Sequence, residues 1–437
     1  MPASLAGDAG IRVLERVCLN RDMEIDEPLM RSLLLRGARL VLPQATIERA
    51  SLLVRGERIA HISAAGAEDD VTAHDGRTFD LHGLTVYPGF IDVHIHGAVG
   101  VDTMEATAGD LFRVAEFLAR EGVTAWLPTL VPAPSEDYER AAASIGNLMA
   151  AQEDERATPA AARALGLHYE GPFINSAQCG ALRPPYFRTF RQPADLDDLP
   201  VAGAPALPVA GAPRSIRMIT VAPEIEGGIE LVRELVARGW IVSIGHTRAD
   251  VETLDRARAA GARHMTHFFN AMSPLHQRTP GPVGWGLLND EVTCDIIADG
   301  HHVAPLALRL ALRCKTTERL CLISDAVAPA GQGDGEFRIW GETIRVAGGR
   351  TANERGSIAG SVSTMRDAVR QMLALGVAPT DVSRMASANP ARLLGVADSY
   401  GTIEEGKRAD LSALDEEGRV RLTVIGGRVA FNSLRDG

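Results

Sequence analysis

The sequence predicts an α/β protein whose core of repeated strand–helix units is bracketed by β-rich ends. Three observations carry this. From residue 88 to about residue 376, short apolar runs bounded by Gly or Pro alternate with helical patterns, as in a parallel sheet, closed or open. Short alternating strands with Gly-bearing turns precede that core, and the same character returns after it. The two ends are therefore expected to meet in one small β domain. The chain has 437 residues, 46% of them hydrophobic, which suits one large domain plus a smaller one and needs no disulfide or structural metal for stability.

Residues 1–29 show none of these patterns and read as an N-terminal extension. Met30 opens the first strand pattern, MRSLLLRGARLVL, followed by ASLLVRGERIAHI and RTFDLHGLTVYPG. Residues 30–87 are thus the first part of the small β domain, and 88–394 the barrel-like core. TAGDLFRVAEFLAREGV (107–123) opens on Thr107 as an N-cap and shows helical spacing. TAWLPTL follows as a strand, and LGLHYEGPF (165–173) is a strand ending in a Gly-Pro break. Next come helix 229–239, strand 240–246, helix 249–262, strand 263–267, helix 304–313, strand 319–325 and helix 364–376. ADLSALD and RVRLTVIGGRVAF return to β, giving 395–437 as the second part of the small domain. The stretch 199–213 contains LPVAGAP twice and reads as a surface insertion.

Composition excludes several function classes. The formal net charge is −11, which disfavours a nucleic-acid partner. No apolar run approaches the roughly 18 residues of a membrane span, and no secretory pattern opens the chain. The five cysteines are odd in number and form no CxxC, which points to a reducing compartment. A cytoplasmic protein is the expectation.

The polar residues of the core fall in one kind of place. The first core strand ends on His94 and His96, and later ones end on Glu170, His246, His267 and Asp325. On a strand, residues i and i+2 point the same way, so His94 and His96 can chelate one ion. In a (β/α)8 barrel the C-terminal strand ends converge on one mouth. Four imidazoles and two carboxylates would then ring one cavity. Nitrogen and oxygen ligands without thiolate suit a catalytic divalent metal, Zn²⁺, Fe²⁺, Mn²⁺ or Co²⁺. Each residue alone has a mundane reading as a turn or helix-start residue. Their recurrence at the same place in successive units is what points to a site. His61, His74 and His82 lie in the β part and read as surface, His168 as core or a supporting group, and His264 as a weak candidate.

The stretches PGFIDVHIHG, GLHYEGPF, SIGHT, THFFNAMSPLHQRTPG, IADGHHV, LISDAVAPAG and SIAGS resemble the amidohydrolase superfamily and, within it, the N-acetylglucosamine-6-phosphate deacetylases. The resemblance implies a (β/α)8 TIM-like barrel with a small β-sandwich domain formed by both chain ends. It implies that Glu170, His246 and His267 hold a primary metal, and His94 and His96 a second, with Glu170 bridging and Asp325 shared. One or two divalent ions, zinc foremost, are implied. It also implies that Asn270, Ala271, Arg278 and His302 grip a sugar phosphate, and that Ala181, Ile358, Ala359 and Gly360 line the sugar. In such enzymes the arginine comes from the neighbouring subunit, which implies a homodimer. One departure is Leu182, in CGALRPP, where members of the family usually carry a histidine.

The chemistry that follows is amide hydrolysis. A divalent ion acidifies water and polarises a carbonyl, and Asp325 would take the water's proton and return it to the leaving amine. Relatives that bridge two metals with a carbamylated lysine are not matched, since Lys315 and Lys407 are the only lysines and neither ends a core strand. The rival expectations are a deacetylase for another acylated sugar phosphate such as N-acetylgalactosamine 6-phosphate, an N-acyl amino-acid deacylase, or a non-catalytic scaffold on this fold.

Overall fold

The computed structural model describes residues 32–64, 76–154, 157–201 and 215–434. The extension 1–29, His74 and residues 202–213 of the LPVAGAP repeat lie outside the described residues.

The chain begins with β1 (Ser32–Val41), β2 (Thr46–Arg55), β3 (Arg58–Ser63), β4 (Arg77–Asp80) and β5 (Thr85–Pro88). With β20 (Leu411–Leu414), β21 (Val420–Ile425) and β22 (Arg428–Asn432) they form an eight-stranded sheet in the order β22-β21-β20-β5-β1-β2-β3, with β4 beside β1. The two ends of the chain meet where β20 pairs antiparallel with β5, Leu411 opposite Pro88 and Leu414 opposite Thr85. Leu35, Leu40, Leu52, Val86, Leu411 and Val424 form its core, each side chain stabilising by about 1.5–3 kcal/mol when fully buried.

Only Gly89 separates β5 from the first barrel strand, β6 (Phe90–Ile95). A small hairpin, β7 (Gly97–Ala98) and β8 (Val101–Asp102), follows it. The other barrel strands are β9 (Val123–Leu130), β11 (Gly166–Glu170), β12 (Ile216–Val221), β13 (Ile241–Ile244), β14 (His264–Met265), β15 (Thr293–Ile297) and β16 (Leu320–Ile323), with β10 (Arg163–Ala164) a short edge on β9. They pair in parallel in the order β6-β9-β11-β12-β13-β14-β15-β16. A parallel bridge between Ile95 and Ala326 closes the ring. Every residue of β6, β9, β11 and β16 is buried, as expected of parallel strands covered on both faces.

Helices α1 (Ala108–Arg120), α2 (Ser135–Glu153), α3 (Gly228–Ala237), α4 (Val251–Ala260), α5 (Gly281–Leu288), α6 (Pro305–Lys315) and α7 (Met365–Ala374) follow the strands. Strands β12 and β15 and helices α2 and α5 carry no clear sequence pattern. The buried stripe of α2 is Tyr138, Ala141, Ala142, Ile145, Leu148 and Gln152, and its small residues give little contrast with the exposed face. The expected strand 263–267 shrinks to His264–Met265, because the chain turns at His267, whose φ is +31°. After β16 an unanticipated three-stranded sheet, β17 (Gly335–Ile339), β18 (Glu342–Ala347) and β19 (Arg350–Ala352), precedes α7.

Candidate metal centre

All six expected ligand residues reach one end of the barrel, and all are buried. His94 lies in β6, His96 one residue past its end, and Glu170 closes β11. His246, His267 and Asp325 each lie two residues past the ends of β13, β14 and β16. Those three have φ of +47°, +31° and +49°, a left-handed conformation that costs a non-glycine residue of order 1–3 kcal/mol. The turn at each strand end is what swings the side chain into the mouth. Gly97 makes the corresponding turn after His96, with φ +153°. A Cβ there would lie 2.0 Å from the Val101 carbonyl oxygen.

The donor atoms form two groups, His94–His96–Asp325 and Glu170–His246–His267, each with its atoms within 4.8 Å of one another. Glu170 joins them. Its Oε1 lies 2.9 Å from His246 Nε2, 2.8 Å from His267 Nε2 and 3.7 Å from His94 Nε2, and its Oε2 lies 3.2 Å from His96 Nε2. Asp325 Oδ1 is 3.5 Å from His94 Nε2 and 3.3 Å from His96 Nε2. The Nε2 atoms approach each other within each pair, at 3.1 Å for His94 and His96 and 3.1 Å for His246 and His267.

Such a set fits a divalent cation. Four Nε2 atoms and two carboxylates, all out of water, face one small volume, which is costly unless positive charge sits among them. Burial works against His96, yet its hydrogen bonds to Asp325 and Glu170 raise it to about 10. Burial likewise opposes His267, and Glu170 raises it to about 9. Burial alone would raise Glu170, but His246 and His267 hold it well below the usual carboxylate range. His94, by contrast, is pushed well down by burial.

A polar layer below the mouth orients these groups. His246 Nδ1 donates to the Gln178 carbonyl at 2.7 Å, which leaves Nε2 facing Glu170. The His267 backbone N–H donates to Asp295, which also accepts from His264 Nε2 at 3.0 Å. So His264 supports the site and is not part of its inner ring. Asp92, pushed up to about 7 by burial, accepts from Ser324 Oγ at 2.5 Å. His168 contacts Thr220 Oγ1 at 2.9 Å and lies edge-on to His94, ring centroids 4.7 Å apart. Asp92 and Asp295 are supporting residues that sequence reasoning missed. The signal was present in the polar residues standing inside otherwise apolar strands, FIDVHI and TCDII.

The expected substrate residues sit on loops of the same end. Ala181 follows Gly180, which abuts His246 and Ala271. The Ala271 carbonyl accepts from the Thr247 N–H at 3.1 Å, tying the loop that carries Asn270 to the His246 turn. Ala359 is buried and Ile358 half-buried. Gly360 has φ +60°, and a Cβ there would lie 2.9 Å from the Asp325 carbonyl oxygen. Arg355 Nη2 donates to the Ala181 carbonyl at 2.9 Å, linking the two loops. His302 is held by Asp299, Nδ1 to Oδ2 2.7 Å, which leaves Nε2 for a ligand. Arg278 lies apart, on an exposed stretch. Leu182 is 4% exposed and packs into the main core, so this position offers a sugar no hydrogen bond. His61 and His82 are partly exposed on the small sheet domain, as expected.

Comparison with known proteins agrees with this geometry. The amidohydrolase family model matches residues 85–430. The chain is 38% identical over 344 residues to an N-acetylgalactosamine-6-phosphate deacetylase of Escherichia coli, covering 78% of this chain and 87% of that one. It is 32% identical over 406 residues to an N-acetylglucosamine-6-phosphate deacetylase of Bacillus subtilis, covering 93% and 98%. The crystal structure of an N-acetylglucosamine-6-phosphate deacetylase from Pasteurella multocida superposes with a TM-score of 0.80 at 28% identity, covering 91% of this chain and 99% of that one.

Proposed function

The chain belongs to the amidohydrolase family, in its N-acetylglucosamine-6-phosphate deacetylase branch, and on that premise we propose that it hydrolyses the acetamide of N-acetyl-D-glucosamine 6-phosphate. The products are D-glucosamine 6-phosphate and acetate, as in amino-sugar catabolism. The observation that carries the reading is the pair of donor groups joined by Glu170 at one end of the barrel. Residues 88–394 are taken as the catalytic barrel, and 30–87 with 395–437 as the small domain.

Glu170, His246 and His267 would hold one divalent ion, and His94, His96 and Asp325 would hold a second beside it. Zinc suits this nitrogen and oxygen set, with iron, manganese or cobalt as the other candidates. The ion, when bound, supplies Lewis acidity that acidifies water and polarises the amide carbonyl. The chain's own groups do the rest. The Asp325 carboxylate takes a proton from the attacking water as the C–O bond forms, and returns it to the nitrogen as the C–N bond breaks. Gln178, Asp295 and Asp92 keep the inner groups oriented. Asn270, the Ala271 backbone and His302 Nε2 hold the sugar phosphate, with Ala181, Ile358, Ala359 and Gly360 against the sugar. Neither lysine takes part: Lys315 ends α6, with Nζ donating to the carbonyls of Asn289 and Val292, and Lys407 contacts Ala397, Thr402 and Glu404.

Arg278 supports a homodimer in which it reaches the partner's phosphate site. It stands on an exposed stretch with Leu275, itself 52% exposed. A cytoplasmic location fits a phosphorylated substrate. Among the described residues no helix is long and apolar enough to cross a membrane.

A second reading, N-acetylgalactosamine 6-phosphate as substrate, is favoured by the 38% identity to the Escherichia coli enzyme and by the missing polar group at Leu182. The test is acetate release from N-acetylglucosamine 6-phosphate, N-acetylgalactosamine 6-phosphate, unphosphorylated N-acetylglucosamine and an N-acetyl amino acid, with elemental analysis of the purified protein. Preferred turnover of N-acetylglucosamine 6-phosphate is expected. Release from none of the sugar phosphates would overturn the reading.

A further inference from the structure

Beneath the metal centre, polar side chains from four neighbouring barrel strands form one hydrogen-bonded row. Ser243 Oγ of β13 lies 2.6 Å from Thr266 Oγ1, just past β14. Thr266 Oγ1 lies 2.8 Å from Thr220 Oγ1 of β12, which lies 2.9 Å from His168 Nε2 of β11. All four residues are buried. The row ends on β6: His168 Nδ1 faces the Val93 carbonyl, and the ring lies edge-on to His94, with centroids 4.7 Å apart and planes at 81°. Strand β9 separates β11 from β6 in the sheet, so His168 crosses the barrel interior to reach it. Ser243 stands three residues before His246, Thr266 one before His267, His168 two before Glu170 and Val93 one before His94. The row therefore runs under both donor groups.

Counting hydrogens gives the row one direction. A neutral imidazole offers one donor and one acceptor. With Nδ1–H toward the Val93 carbonyl, His168 Nε2 accepts from Thr220, Thr220 from Thr266 and Thr266 from Ser243, and every hydroxyl hydrogen finds an acceptor. Were Nε2 to donate, the row would reverse and the Ser243 hydrogen would have no acceptor among the described residues, which is costly for a buried donor. The tautomer and the plane of the His168 ring are fixed together. His94 has no comparable anchor of its own. A metal-bound histidine ordinarily donates its second ring nitrogen to a partner that holds the ring, as His246 Nδ1 does to the Gln178 carbonyl. His94 Nδ1 is buried and has no such partner among the described residues. His96 Nδ1 also lacks one, and its ring rests edge-on against Trp340, 5.4 Å between centroids. Outside the donor set, the ring that faces His94 is His168.

We propose that His168 is a positioning residue for the His94–His96–Asp325 cation site: its ring, locked by Thr220 and the hydroxyl row behind it, orients His94 and so sets the affinity of that site. The proposal rests on the two-ion reading above and adds to it the residue on which the second ion depends.

The experiment titrates metal-free protein with Co²⁺ in the wild type, H168A, H168F and T220V. Visible absorption follows each site as it fills, and elemental analysis after gel filtration gives the ions held per chain. Loss of a group that orients a metal ligand lowers metal affinity by roughly 10- to 100-fold. H168A is therefore expected to bind the second ion roughly 10- to 100-fold more weakly and the first as the wild type does. H168F keeps a ring against His94 and recovers part of the loss. T220V keeps the His168 ring but frees its Nε2, and weakens the second ion in the same direction. Equal weakening of both ions, or a lower unfolding temperature with both affinities unchanged, would make His168 a packing residue only and overturn the proposal. If H168A does not fold, T220V decides, because it nearly keeps the wild-type shape: an unchanged second affinity overturns the proposal. A wild type that takes up one ion per chain would overturn the two-ion reading and this proposal with it. Two ions held equally well by the wild type and the variants would count against His168 alone.

Discussion

Asp325 and Arg278 show how differently two proposed site residues are placed. Asp325 is 7% exposed, and its backbone is tied down on both sides: its N–H donates to the His94 carbonyl at 2.9 Å, and its own carbonyl accepts from the Ser361 N–H at 2.8 Å. Replacing the carboxylate by an amide leaves that frame intact but removes the proton acceptor. D325N is expected to lose about a hundred- to ten-thousand-fold in kcat while elemental analysis still finds metal on Glu170, His246 and His267. Undiminished turnover would remove Asp325 from proton transfer. Arg278 has the opposite character, exposed and outside the buried centre. A charge-assisted hydrogen bond contributes about 1.5–3 kcal/mol, so R278A should raise KM for the sugar phosphate roughly tenfold or more, with kcat less affected. If the arginine acts across a dimer, co-expressed R278A and D325N subunits show, at low substrate, more activity than either variant alone. An unchanged KM in R278A would exclude it from phosphate binding.

At the scale of elements, α1 shows why the strand–helix units hold their register. Thr107 caps it: the Asp110 N–H donates to Thr107 Oγ1 at 3.2 Å, and the Thr107 N–H donates to Asp110 Oδ2 at 3.1 Å. The helix buries Leu111, Val114, Ala115, Leu118 and Ala119 on one stripe. T107A is expected to cost about 1 kcal/mol, seen as a lower urea midpoint with unchanged slope, and T107S to recover most of it. No shift in the midpoint would mean that tertiary packing alone fixes this helix. The cap and stripe of α1 are plain in the sequence, as is the apolar run of β9. Strand β12 and helix α2 are not. IRMITV follows the Pro- and Ala-rich insertion without a turn signal of its own, and the alanines of α2 blur its periodicity. The β17–β19 sheet alternates buried and exposed positions, but nothing in the linear pattern places it beside the barrel mouth.

Across the whole molecule, the sheet domain and the barrel share a hydrogen-bonded seam. Ser412 Oγ donates to the Gly122 carbonyl at 2.6 Å, and Thr423 Oγ1 donates to the Ala119 carbonyl at 2.8 Å, both hydroxyls buried. These bonds fasten the last strands of the chain to the end of α1, some 300 residues earlier. T423V keeps the shape but removes one of the hydrogen bonds to the Ala119 carbonyl, which the Gly122 N–H still meets at 3.2 Å, a loss of about 0.5–1.5 kcal/mol. It should lower the unfolding midpoint while the protein still unfolds in one transition. Two separated transitions in the wild type would show that the seam does not couple the domains. The sequence by itself determined the α/β class, the meeting of the two ends and the identity of the six inner groups, because strand periodicity and chemical type are local properties. Only the tertiary structure decided that Glu170 lies between the two histidine pairs, that Asp92 and Asp295 brace the ring from below, and that Trp340 stands against His96. Those relations join residues tens to hundreds of positions apart. They depend on barrel closure at Ile95 and Ala326 and on left-handed turns at His246, His267 and Asp325, and no local pattern encodes either.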